Sequence, residues 1–226
     1  MTAPLRLVVF DWDGTLVDSA GAIVAAMDEA FAAHRYPAPD PAAVRRIIGL
    51  ALETAVERLL PADHAGAAPA IAASYRQVYA AARARPEDVE SVVVAGAVAE
   101  LDYLAAQGYL CAVATGKSRR GIARALERTG LRRHFVAWRT ADDAPGKPHP
   151  GMLEQVMAEV GAEPGATVVV GDTTFDIEMA RNAGAGAIGV AWGYHPPAEL
   201  AAAGADRVID RFDQLSISVE RALTVR

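Results

Sequence analysis

The chain has 226 residues, 52% hydrophobic and 22% charged, with a net charge of −6 and a pI near 5.4. That is enough apolar chain for a packed core and a second, smaller domain without metal or disulfide staples. The acidic balance excludes the basic footprint of a nucleic-acid binder, and the single cysteine excludes a disulfide framework, which fits a reducing compartment.

The N-terminal apolar stretch Leu5–Phe10 carries Arg6 and runs directly into aspartates, so it reads as a strand and not as a signal segment. No run approaches the ~18 apolar residues of a membrane span, which points to a cytoplasmic protein with no membrane contact. Asp18 or Ser19 can then cap a helix whose apolar residues Ile23, Met27 and Phe31 recur at four-residue steps and which ends before Pro37. From Asp40 to about Arg85 the pattern is Ala-rich and helical, with Val44, Ile47, Ile48, Leu52, Val56, Leu59 and Leu60 as its apolar face. Pro37, Pro39, Pro41, Pro61 and Pro86 divide it into separate helices.

From about Ser91 helices alternate with short β-rich runs. The periodicity predicts helices over 97–107, 118–129, 150–160 and 175–182, and strands over 110–115, 167–170 and 187–190. Gly108, Gly130, Gly161 and Gly184 each follow a helix, where a left-handed stop needs glycine. This alternation implies an α/β fold, a Rossmann-like parallel sheet covered on both faces. The core is expected over 1–16 and 87–226, with an inserted α-helical domain over 17–86.

In such sheets ligands bind beyond the carboxyl ends of the strands. Three such ends carry polar residues: Asp11 to Asp13, Thr115-Gly116 and Gly171-Asp172. Asp11 and Asp13, two apart, project to one side of an extended segment. Asp172 and Asp176 add carboxylates from another strand end, Asp176 in the first turn of the next helix. Carboxylates gathered this way repel unless a cation is bound, and oxygen-only donors favour Mg²⁺ over Zn²⁺. Gly116-Lys117-Ser118 is not a P-loop, because Cys111 stands where the upstream glycine is required. It remains a Thr-Gly turn opening onto a helix capped by Ser118, able to hold an anion through backbone N–H groups and the Thr115 hydroxyl.

Lysine occurs only at Lys117 and Lys147, against 20 arginines. In Gly146-Lys147-Pro148 the compact ammonium can neutralise a carboxylate and a phosphoryl oxygen together. The five histidines show no paired metal spacing and read as surface or loop residues. Trp12, Trp138 and Trp192 read as packing residues, and Cys111 as a small core hydrophobe.

Asp11-Trp12-Asp13-Gly14-Thr15, Ala114-Thr115-Gly116, Gly146-Lys147-Pro148 and Gly171-Asp172-Thr173-Thr174-Phe175-Asp176 together resemble the four ordered motifs of the haloacid dehalogenase superfamily. The branch most resembled is that of phosphoglycolate phosphatase and β-phosphoglucomutase, with a helical cap after the first motif. The resemblance implies a Mg²⁺-dependent phosphatase acting on a small phosphorylated metabolite, with Asp11 as nucleophile and Asp13 as general acid and base. It implies metal binding by Asp11, the Asp13 main-chain carbonyl and Asp172, with Asp176 holding a metal-bound water. Thr115, Gly116 and Lys147 would bind phosphate, and Gly14 would let the backbone approach it. Substrate choice would fall to the cap, where Arg45, Arg46 and the turn at Gly49 are the candidates, although the arginines also fit a solvated helix face.

Two alternatives stand beside this reading. A phosphomutase uses the same core, but mutases of the branch often carry a bulky aliphatic at the position of Thr15. An inactive binding or regulatory module would typically have lost the nucleophile or a metal ligand. Dehalogenase chemistry is disfavoured by the presence of Asp13, and phosphonate hydrolysis by a cap without lysine. Nothing in the sequence specifies an oligomeric state.

Overall fold

The computed structural model describes residues 5–83 and 92–224; Pro86, Ser91 and the expected boundary at 86/87 lie outside the described residues. The chain runs β1 (Leu7–Phe10), β2 (Val17–Asp18), α1 (Ala20–Ala33), α2 (Pro41–Ile47), α3 (Leu52–Leu59) and α4 (Ala68–Ala82). It continues through β3 (Val92–Val93), α5 (Ala97–Ala106), β4 (Leu110–Thr115), α6 (Arg119–Thr129), β5 (Ala137–Thr140) and α7 (Gly151–Val160). It closes with β6 (Thr167–Gly171), α8 (Thr174–Asn182), β7 (Gly186–Val190), α9 (Pro197–Ala202), β8 (Arg207–Ile209) and α10 (Leu215–Thr224).

Six strands form one parallel sheet in the order β5-β4-β1-β6-β7-β8. Its central strand, Leu7 to Phe10, is apolar at every position because both sheet faces are covered. Val8 and Phe10 pack on one face with Leu101, Leu104 and Ile122, while Leu7 and Val9 pack on the other with Met152, Val156 and Ile177. The N-terminal strand joins the distant C-terminal half, pairing Leu7 with both Leu110 and Thr167. Its two neighbours lead away in opposite directions, so a crevice opens beyond its carboxyl end.

Every helix and strand expected in the core is present within a residue or two, and the four helix-stop glycines all have positive φ. The expectation lacked β5, β8, α9, α10 and the β2–β3 pair. β5 and β8 are the two edge strands. Arg139 interrupts the apolar run of β5 and β8 offers only Val208 and Ile209 between Arg207 and Asp210, so neither carries a local strand signal.

Helices α1 to α4 enclose a cluster of their own around Ile23, Met27, Phe31, Val44, Val56 and Ile71. Asp40 caps α2 by accepting the Ala42 and Ala43 N–H groups, with Pro41 in the first turn. At α1 the Asp18 carboxylate accepts the Ala20 N–H, while the Ser19 hydroxyl turns instead to Asp13. Entry into and return from these helices pair as a short antiparallel ribbon, Val17 opposite Val93 and Asp18 opposite Val92. Ile47, Leu50 and Ala55 meet Phe175 of α8, which seats the helices over the sheet's carboxyl end.

Ile71 is fully buried at the centre of this helical cluster. Ile71→Ala is expected to cost about 2–5 kcal/mol in urea unfolding; a loss under about 1 kcal/mol would show that the helices lack a close-packed core.

Candidate active site

The three strand ends singled out above meet at the crevice. Asp11 follows β1, Thr115 ends β4, and Asp172 follows β6, with Asp176 one turn into α8. The loop after β5 brings Lys147 beneath them, and all five side chains are buried. Lys147 Nζ lies 2.8 Å from Asp11 Oδ1 and 2.6 Å from Asp176 Oδ1. The remaining oxygens of Asp172 and Asp176 are committed: Asp172 accepts from the Thr15 hydroxyl at 2.8 Å and the Tyr194 N–H at 2.9 Å. Asp176 Oδ2 accepts from the Thr173 N–H and hydroxyl. Asp11 Oδ2 is buried and meets no donor.

Asp11, Asp172 and Asp176 each offer a carboxylate oxygen within 4.8 Å of the others. Three carboxylates against one ammonium leave a buried excess of negative charge, and the proton equilibria register it. Burial pushes the Asp11 carboxyl up to about 7; Lys147 opposes this, while Asp176 and Asp13 add to it. Asp172 is raised for the same leading reason, with Asp176 and Asp11 adding to the effect. Against the cost of burial, the two carboxylates hold the Lys147 ammonium above the ordinary lysine value. An all-oxygen donor set, an unpartnered buried carboxylate oxygen and an excess of negative charge fit a hard divalent cation.

Asp13 stands apart from this group. Its Oδ1 meets Lys117 Nζ at 2.8 Å and accepts from the Ser19 hydroxyl. Lys117 also donates to the Tyr79 hydroxyl at 3.4 Å, from α4. Burial opposes its charge, but Asp13 and then Tyr79 hold its ammonium above the usual value. So each of the chain's two lysines neutralises one of the two aspartates that follow β1. Sequence reasoning assigned a role to Lys147 and only the place of a turn residue to Lys117; the rarity of lysine was the signal that could have found both.

Gly14 sits at φ +81°, and a Cβ there would lie 2.3 Å from Asp172 Oδ2, so its conformation and the space for that carboxylate both require glycine. The expected reason, approach to a phosphoryl group, is therefore not the whole one. A Cβ at Gly116 would fall 2.6 Å from the Leu50 carbonyl oxygen. The Gly49-Leu50 backbone thus lies directly on the turn after β4. Trp192 holds the nearby loop by donating to the Thr15 carbonyl at 3.1 Å.

A cavity of 740 Å³ lies between α1–α4 and the sheet; Asp11, Asp13, Gly49, Thr115, Gly116 and Lys117 line it. Arg45 is exposed on α2 and outside this lining, and Arg46 turns away to Glu199 at 2.8 Å. Of the expected surface or loop places, His195 takes a loop, the one after β7, but is buried there, 4% exposed. Its Nδ1 accepts the Thr174 N–H and its Nε2 meets the Arg46 carbonyl at 3.0 Å, so it joins the start of α8 to α2. Trp12 and Trp192 pack against Phe135 and Phe212, and Cys111 is buried, its thiol pushed up to about 12 by burial.

Residues 8–190 match the haloacid dehalogenase-like hydrolase family. The chain is 39% identical to "Probable phosphatase IndB" of Dickeya dadantii, covering 92% of this chain and 91% of that one. It is 33% identical to a phosphoglycolate phosphatase of Pectobacterium atrosepticum, covering 92% and 89%. A hydrolase of Pseudomonas syringae superposes with a TM-score of 0.80 at 26% identity, covering 93% and 96%.

The raised carboxyls set the sign of a pH effect. In the unfolded chain Asp11 titrates near ~3.9, in the folded metal-free protein near 7. Between those values the native state binds more protons, so the contributions of Asp11 and Asp172 to stability fall as pH rises. A divalent cation replaces those protons, adding about 2.7 kcal/mol at about 100 times its dissociation constant. Thermal melts of the EDTA-treated protein should therefore gain more from Mg²⁺ at pH 7.5 than at pH 5. Equal gains at both pH values would remove the carboxylate cluster as the binding site.

Proposed function

The chain belongs to the haloacid dehalogenase-like hydrolase family, and from that premise we propose that it is a Mg²⁺-dependent phosphatase of a small phosphomonoester, phosphoglycolate or sugar-phosphate-like, working through an aspartyl-phosphate on Asp11. The observation that carries this reading is Asp11 itself. Its carboxylate is buried and pinned through one oxygen by Lys147, while the other oxygen has no donor and the residue lines the cavity. Relatives named as phosphatases, among them phosphoglycolate phosphatases, support the substrate class.

Asp11, Asp172 and the Asp13 main-chain carbonyl would hold the ion, with Asp176 acting through a water; when bound it offsets phosphoryl charge and orients the phosphate toward Asp11. The free Asp11 oxygen attacks phosphorus as the ester P–O bond breaks, and the leaving oxygen takes its proton from Asp13. Asp13 then takes a proton from water, which attacks phosphorus and frees Asp11 and inorganic phosphate. Ser19 and Lys117 hold the Asp13 carboxylate at the cavity wall throughout.

Lys147 and the Gly116 N–H take up charge on the equatorial oxygens. Thr115 Oγ1 accepts the Lys117 N–H at 3.2 Å, which leaves its own O–H to donate there too. Helices α1 to α4, from Ala20 to Ala82, serve as the cap that closes this site. The division of labour accounts for the two lysines: Lys147 serves the nucleophile and Lys117 the acid.

Asp11→Asn should lower p-nitrophenyl phosphate turnover by about 10³-fold or more with an unchanged far-ultraviolet circular dichroism spectrum. Unchanged turnover would take Asp11 out of the mechanism. With a sugar phosphate as substrate the product should be free phosphate; isomer formed without phosphate would make the protein a mutase.

A further inference from the structure

The cavity continues well past Thr115, along α6. That helix carries Arg120, Arg124 and Arg128 at four-residue steps, and all three line the cavity. At the far end Arg128 donates to the Arg83 carbonyl at the end of α4, which bridges the two walls there. Between that bridge and the phosphate end stand Arg120 and Arg124.

Like Arg45 and Arg133, these two are exposed and, among the described residues, without a protein partner, but unlike those they line the cavity. Arg46 pairs with Glu199, Arg76 with Glu53, Arg119 with Asp143 and Arg181 with Asp206. Arg120 and Arg124, among the described residues, have no carboxylate, hydrogen-bond or aromatic partner. The nearby acids are already engaged: Glu53 by Arg76, and Asp142 by the Arg119 N–H. Two guanidinium groups one turn apart, facing a cavity with no protein anion to meet them, are suited to bidentate recognition of a carboxylate or phosphate. With a rise of about 1.5 Å per residue, Arg124 stands about 9 Å along the helix from its Ser118 cap.

We propose that Arg120 and Arg124 form a second anion subsite, and that the substrate is a phosphomonoester whose alcohol portion carries a further carboxylate or phosphate several bonds from the reacting group. This rests on the phosphatase reading above and narrows it. In phosphoglycolate the carboxylate is one methylene from the ester oxygen, which would reach no further than the Arg120 end of the pair, about 3 Å along the axis from Ser118. The 740 Å³ cavity also exceeds what so small a molecule would fill.

The test uses matched substrates with Mg²⁺. 6-Phosphogluconate is compared with sorbitol 6-phosphate, fructose 1,6-bisphosphate with fructose 6-phosphate, and phosphoglycolate with ethyl phosphate. A charged hydrogen-bonded contact is worth about 1.5–3 kcal/mol, so the anionic member of at least one long pair should gain about tenfold or more in kcat/KM, mostly through KM. Whichever long pair gives the larger ratio identifies the anion as carboxylate or phosphate. In the Arg120→Gln/Arg124→Gln double variant that ratio should fall to within about twofold of unity, while Arg133→Gln, on the exposed turn after α6, should leave it intact. Ratios near unity in the wild type, or ratios that survive the double variant, overturn the subsite. An advantage for phosphoglycolate as large as for the long pairs overturns its distance from the reacting group. Failure of the wild type to hydrolyse p-nitrophenyl phosphate would instead defeat the phosphatase reading, and this inference with it.

Discussion

Lys147 occupies a position from which one ammonium serves two buried carboxylates, and much of the surrounding architecture is arranged to keep it there. With Asp172 beside them, Asp11 and Asp176 bring three buried acids within 4.8 Å of one another. Charges in such a place repel strongly and are costly to desolvate. The chain tolerates them by spreading the attachment over four elements: the ends of β1 and β6, the first turn of α8 and the loop after β5. Each acid except Asp11 has its outer oxygens tied by local hydrogen bonds, from Thr15 and Tyr194 on Asp172 and from Thr173 on Asp176. Asp11 alone retains an oxygen without a donor. The site is consequently poised for a ligand at the expense of stability, a trade common where function needs a destabilised constellation.

The choice of lysine is physical. At Lys147 a compact ammonium reaches two carboxylates at 2.8 and 2.6 Å from one atom, where a planar fork would impose its own geometry. Lys117 makes the corresponding pair with Asp13, and through Tyr79 it also reaches α4. Elsewhere the chain uses arginine, in part in exposed pairs such as Arg46–Glu199 and Arg211–Asp213. Such pairs contribute little to stability individually. Their value lies in joining α2 to α9 and in holding the surface loop after β8.

The helices over the crevice also touch it directly. Leu50 and Gly49 place their backbone against Gly116, and Tyr79 contacts Lys117, so both the turn after β4 and the Asp13–Lys117 pair are touched from above. A ribbon of two residues on each strand is the paired route between helices and sheet, which restrains how the helices sit without fixing them through a large interface.

The sequence by itself determined the fold class, the order of the core elements and five of the acidic and basic side chains of the site. These signals are local: period-2 and period-3.6 apolar patterns, glycine at left-handed stops, and polar residues directly after buried strands. The edge strands β5 and β8 were not legible, because a strand exposed on one side carries too few apolar residues to register. Nor was the buried role of His195, whose partners Thr174 and Arg46 are remote in sequence or belong to another helix. The two-residue spacing of Asp11 and Asp13 suggested a shared direction, yet each was given its own lysine by loops that only the folded sheet brings together. Which arginines border the cavity was likewise decided by tertiary structure. Arg45 and Arg124 are equally polar, exposed helix residues, but only the second borders the cavity, because the packing of a helix, not its composition, decides which face lies there.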